Sequence, residues 1–139
     1  MIVESVELKD YRNYEFLDMN FNEHVNIIYG DNAQGKTNIL ESIYMCSTSK
    51  SHRGSKDREI VRFGEDESHI KLNVLKHGMK YRIDMHLKKN KTKGIAVNGI
   101  PIKKAVELFG IINIVFFSPE DLNICLLYTS PSPRDRQKS

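Results

Sequence analysis

The chain has no tryptophan, two cysteines and four prolines among its 139 residues. No run of about 18 apolar residues occurs, which speaks against a helical membrane span. The opening stretch, MIVESVELKDYRNYEF, lacks the apolar h-region of a secretory signal. Cys46 and Cys125 stand far apart and form no C-x-x-C pair, so free thiols in a reducing, cytoplasmic setting are expected. The five histidines show no i, i+4 pair and no cysteine partners, so no structural zinc site is expected. No G-x-S-x-G is present either. Charge of one sign is also scarce. The formal net charge is +3, and much of it falls on Arg134, Arg136 and Lys138 near the C-terminus. A nucleic-acid partner therefore has to be argued from something other than bulk charge.

What is present reads as one modest α/β domain. Ile2, Val6 and Leu8 share a parity and predict a first strand, and YRNYE reads as a turn. Leu17, Met19 and Phe21 alternate with polar neighbours and predict a half-buried second strand. HVNIIYG reads as a third, running into a glycine loop. After it, Ile39, Leu40, Ile43 and Cys46 fall on one helical face, so an amphipathic helix is expected from Thr37. A polar stretch, STSKSHRGSKDREIVRFGED, reads as loop with a short helical or extended piece. Two alternating strands follow, one with Ile70, Leu72 and Val74, the other with Tyr81, Ile83, Met85 and Leu87, joined by a hairpin at KHGMK. Asn98-Gly99 marks another turn, and KKAVELFG a short helix ending at glycine. IINIVFF predicts a strand buried on both faces. Ser118 and Pro119 then suit the N-cap and first position of a helix.

The chemistry is concentrated in Gly30-Asp31-Asn32-Ala33-Gln34-Gly35-Lys36-Thr37, a complete P-loop pattern. Gly30 suits a sharp exit from a strand, and Gly35 lets backbone approach phosphate without a Cβ in the way. Backbone N–H groups of residues 32–37 are expected to face the anion at the positive end of the following helix. Lys36 would lie between the β- and γ-phosphates of ATP, and Thr37 would offer its hydroxyl to Mg²⁺. Chance supplies four such positions roughly once in a few hundred chains of this length.

Binding is not hydrolysis, which also needs a strand-end acid for the metal and a group that orients water. No catalytic residue is assigned. Asp84 lacks a preceding apolar run and has basic neighbours, so it reads as a solvent-facing strand residue. Glu120 and Asp121 follow IINIVFF, where they suit either a nucleotide site or the first turn of a helix. The run KKNKTK reads as a solvated hairpin tip, with nucleic-acid phosphate contact as its alternative.

Several stretches together carry a resemblance: LKDYRNYE, VNIIYGDNAQGKTNILESIY, SHRGSKDREIVRFGED, AVNGIPIKK and INIVFFSPEDL. They resemble the N-terminal part of the RecF family and, more widely, SMC-type ATPase heads, over about residues 2–124. The resemblance implies a P-loop NTPase fold of the ABC-type head, with a mixed or antiparallel sheet. It implies ATP and Mg²⁺ as cofactors, and an ATP-dependent homodimer of the full-length form around two nucleotides. It also implies binding to single-stranded and double-stranded DNA, RecO and RecR mediator partners, and roles in recombinational gap repair and the SOS response. By position, Gly30 to Thr37 are the ATP loop, and Arg12 and Asn13 fall beside the nucleotide. FSPEDL falls on the loop that senses γ-phosphate and Mg²⁺, although that loop's usual glutamine is absent.

The family's signature and Walker B motifs have no counterpart here. The stretch LLYTSPSPRDRQKS resembles translated library-adaptor sequence, so residues 126–139 are expected to be a non-native, disordered tail behind a truncated head spanning 1–125. Such a fragment is expected to bind ATP weakly and not to hydrolyse it. A small-molecule kinase would need a parallel βαβ unit soon after the loop. A DNA-binding module with a vestigial loop is the remaining alternative.

Overall fold

The computed structural model describes residues 1–29 and 33–117. Six strands form one sheet: β1 (Ile2–Tyr11), β2 (Tyr14–Asn20), β3 (Glu67–Lys76), β4 (Met79–Lys88), β5 (Gly94–Val97) and β6 (Ile100–Ile102). Their order is β2-β1-β3-β4-β5-β6, and every neighbouring pair is antiparallel. A parallel βαβ unit is therefore absent among the described residues, against the kinase alternative. Helix α1 (Ala33–Thr48) and the short α2 (Asp57–Ile60) accompany the sheet, with a 3₁₀ turn at Ala105–Leu108. No helix among the described residues is long and apolar enough to cross a membrane.

The alternation in β3 and β4 makes the core. Ile70, Leu72 and Val74 are buried beside Ile83, Met85 and Leu87, because the period-two pleat sends these residues to one face. They pack with Val6 and Leu8 of β1, with Ile39, Met45 and Cys46 of α1, and with Leu108 and Ile112. The β3–β4 hairpin closes through His77 and Gly78 (φ 52° and 75°) between the paired Lys76 and Met79. Positive φ at both loop residues matches the twist of the flanking strands. Asn98 and Gly99 (φ 52° and 80°) repeat this between β5 and β6.

Four expectations need correction. Ile2 does not share the core parity of Val6 and Leu8. A register shift between Val3 and Ser5 puts Val3 on the core side instead, as one extra residue does at a bulge. Leu40 is exposed, and the buried face of α1 runs instead through Asn38, Ile39, Glu41, Ser42, Met45 and Cys46. The helix turns this mixed face inward because its polar members find partners there, as described below. Residues 25–29 form no strand: Val25, Ile27 and Tyr29 are exposed, with no ladder partner among the described residues. Residues 111–117 form no strand either. Ile112 is buried, Ile114 and Phe116 are half-buried, and Val115 and Phe117 are exposed, so the run is covered on one face rather than two. Apolar composition cannot make a strand where no neighbour supplies donors and acceptors. The helix expected at Ser118, the acids Glu120 and Asp121, and the tail 126–139 lie outside the described residues.

Candidate functional site

Helix α1 begins at Ala33, so Gly35, Lys36 and Thr37 of the P-loop pattern lie in its opening turns. Gly35 is buried, and Lys36 and Thr37 are half-buried. The first turn carries no acidic residue, and the positive end of a helix dipole favours an anion. These residues therefore fit a phosphate. Gly30, Asp31 and Asn32 lie outside the described residues. Ala33 and Gln34 are placed by their helical backbone alone.

Arg12 and Asn13 form the turn between β1 and β2. Asp10 and Arg12 both take left-handed backbone (φ 52° and 54°), an uncommon state for residues with a Cβ. Hydrogen bonds to the stretch behind hold them there. The Arg12 N–H donates to the Ile60 carbonyl at 2.7 Å, and the Arg62 N–H to the Asp10 carbonyl at 2.9 Å. An isolated bridge between Tyr11 and Val61 lies between them. The irregularity at Asp10 turns Tyr11, rather than its neighbour, into the core.

Glu41 joins this turn to the helix. Its side chain is buried, yet it accepts from Tyr11 Oη at 2.7 Å, Arg12 Nε at 2.9 Å, Arg12 Nη2 at 2.8 Å and Ser51 Oγ at 2.5 Å. Burial pushes the Glu41 carboxyl up, but the bonds from Arg12, Ser51 and Tyr11 outweigh it and hold the group below the usual carboxylate range. Arg12 is raised chiefly by its bond to Glu41. Burial, then the Glu41 charge, pushes the Tyr11 hydroxyl well above its ordinary value, so it stays a donor.

Asn38, one helical turn before Glu41, continues the network. Its Nδ2 donates to Asn13 Oδ1 at 2.9 Å, and its Oδ1 accepts from Arg53 Nη1 at 3.0 Å. Arg53 also lies 3.9 Å from Glu41. The loop after α1 is fastened from outside by Lys93, which pairs with Asp57 at 3.0 Å and donates to the Ser49 carbonyl.

Beside this network is an open cavity of about 560 Å³, lined by Arg12, Asn13, Asn38, Arg58, Phe63 and Lys89 among others. Phe63 is 99% exposed. Arg12, already paired with Glu41, stands in this lining with Arg58, Lys89, one acid, Glu59, and the bare Phe63 ring, a net positive balance that suits an anion carrying a flat ring.

Asp84 lies elsewhere. It projects from the sheet face opposite Ile83 and Met85 and pairs with Arg82 at 2.8 Å, the solvent-facing role expected of it. Sequence reasoning brought Arg12 and Asn13 to the P-loop only through resemblance, and it missed Glu41, Ser51 and Asn38. One signal was available. Asn38, Glu41, Ser42 and Met45 recur at helical spacing, and an acid in phase with a buried face requires a cationic partner.

The chain matches the AAA domain family over residues 5–125. It is 93% identical over 136 residues to the DNA replication and repair protein RecF of Lachnospira eligens, a match spanning 98% of this chain and 37% of that protein. The RecF of Agathobacter rectalis is 62% identical over the same shares. The chain thus spans a little over a third of the length of these curated relatives. Among solved structures, the recombination mediator protein RecF with ATP, from the RecFOR pathway, superposes with a TM-score of 0.81 at 36% identity. That match covers 98% of this chain and 37% of that one. A structure from work on ATP-driven dimerization of SMC ATPases superposes at 0.74 with 18% identity, covering 99% of this chain and 96% of that one, a likeness of fold alone.

Proposed function

The chain belongs to the AAA domain family, and on that premise we propose that it is the nucleotide-binding part of a RecF-type DNA replication and repair protein. The observation that carries this is the placement of Gly35, Lys36 and Thr37 in the opening turns of α1, beside the Arg12–Asn13 turn. In this reading the nucleotide is ATP. Residues 30–37 hold its phosphates, with Lys36 as the counter-charge, and Thr37 is the protein's hydroxyl for Mg²⁺. The metal, when bound, supplies charge neutralisation between the phosphates. Arg12 and Asn13 border the nucleotide, and the cavity at Phe63, Arg58 and Lys89 receives its outer part.

The wider function is proposed from the resemblance to the RecF family. The whole protein associates with single-stranded and double-stranded DNA. It pairs with a second copy when ATP is bound and works with RecO and RecR mediators in recombinational gap repair and SOS induction. Residues 1–125 are the native head portion in this reading.

Fluorescent ATP-analogue binding to the full-length protein tests the site. Lys36→Ala is expected to weaken binding by tenfold or more, since a charge-assisted phosphate contact is worth about 1.5–3 kcal/mol, and to abolish ATP-dependent DNA association. Unchanged binding in both assays would overturn the reading.

A further inference from the structure

The Glu41 cluster holds a burial cost that packing alone does not require. A buried carboxylate loses several kcal/mol of hydration, and an apolar side chain at the same helical position would avoid that loss. Glu41 instead has all of its side chain buried and ties α1 to two other segments: the β1–β2 turn through Tyr11 and Arg12, and the loop after α1 through Ser51.

Arg12 shows what this arrangement fixes. Its guanidinium has five donors in a rigid fork. Nε and one Nη2 proton go to the two oxygens of Glu41, and the other Nη2 donor reaches Ser55 Oγ at 2.9 Å. The Nη1 edge is the part of the fork engaged by neither Glu41 nor Ser55. The side chain keeps 20% exposure and lines the cavity that also holds Asn13, Arg58 and Lys89. The backbone under it is pinned at φ 54° by the bond to the Ile60 carbonyl. The backbone and the Nε and Nη2 positions of Arg12 are therefore both held, in a residue that lines the cavity.

We propose that Glu41 is a positioning residue for the nucleotide, holding the Arg12 fork so that its Nη1 edge meets a phosphate of the bound triphosphate. The inference rests on the reading of the P-loop given above. Glu41 touches no ligand itself and acts through Arg12. Preorganisation gives the effect its size: an arginine already locked in its bound rotamer loses less side-chain freedom when the anion arrives. The same carboxylate, through Ser51, ties the loop carrying Arg53 to this setting.

The test uses the full-length protein and two readouts. Phenylglyoxal labelling of Arg12, mapped by mass spectrometry without nucleotide, reports whether the fork is held. Binding of a fluorescent ATP analogue reports the consequence. Glu41→Gln is expected to raise Arg12 labelling several-fold and to weaken analogue binding about tenfold, within the range of couplings between contacting residues. In an Arg12→Ala background the same substitution should have no further effect on binding. Tyr11→Phe removes a different hydrogen bond from Glu41, and it should lower stability while leaving labelling and affinity unchanged. If Glu41→Gln fails to fold, Ser55→Ala carries the test, with the same two changes expected at smaller size. Unchanged Arg12 labelling overturns the clamp, and raised labelling with unchanged affinity overturns its service to the nucleotide. An unaffected Lys36→Ala would sink the P-loop reading instead, while the labelling would still report on the clamp.

Discussion

Tyr11 Oη lies 2.7 Å from Glu41 Oε1, a buried hydrogen bond between residues 30 apart in the chain. One belongs to the last position of β1, the other to the middle of α1, so the bond ties the sheet to the helix. Tyr11→Phe keeps the ring and removes the donor. It is expected to lower stability by about 1.5–3 kcal/mol, because the acceptor is charged and buried. The shift of the urea midpoint at constant slope is the measurement.

Acid should dissolve the same cluster. The folded state holds the Glu41 carboxyl below its unfolded value. A depressed carboxyl contributes stability that is complete above the unfolded pKa and is lost as pH falls through the folded one. Stability of the wild type is therefore expected to drop below about pH 4, the ordinary range for glutamate. Glu41→Gln, less stable at neutral pH, should show a flatter acid limb. Parallel profiles for the two proteins would contradict the assignment.

Gly78 holds the second position of the β3–β4 turn at φ 75°, with open space around the site of an added Cβ. Gly78→Ala is thus expected to cost about 1–2 kcal/mol from backbone conformation alone. Gly78→Asn should cost less, since asparagine tolerates this region better. Thermal melts of the two variants should rank in that order.

Cys46 is buried in the core, and burial pushes its thiol well above the ordinary value. It should resist iodoacetamide at neutral pH in the folded protein and react once denaturant is added. Peptide mapping distinguishes it from Cys125. Rapid native labelling of Cys46 would mean that α1 does not rest on the sheet as described.

Local pattern made the sheet legible. Ile70, Leu72 and Val74, and then Ile83, Met85 and Leu87, alternate so regularly that β3 and β4 follow from the period of the pleat. His77-Gly78 and Asn98-Gly99 announce their turns because few residue pairs accept two positive φ values. The P-loop was legible for a similar reason, as phosphate binding restricts which residues fit at fixed spacing.

HVNIIYG and IINIVFF mark the boundary of that reasoning. Both have strand composition, yet a strand is a relation between two segments, and no described neighbour pairs with either. The parity of β1 is another instance. The shift near Val3 and the left-handed Asp10 decide which side chains face inward, and neither is written in the alternation of Ile2, Val6 and Leu8.

By itself, then, the sequence determined the hairpins, the core stripes, the helix after the glycine loop and the family, because these depend on neighbours in the chain. Only the tertiary structure decided that Glu41 faces inward while Leu40 faces out, and that Tyr11, Arg12 and Ser51 converge on one carboxylate. The reason is physical. A buried charge is tolerable only where donors distant in sequence arrive together, and that convergence is a property of the folded chain.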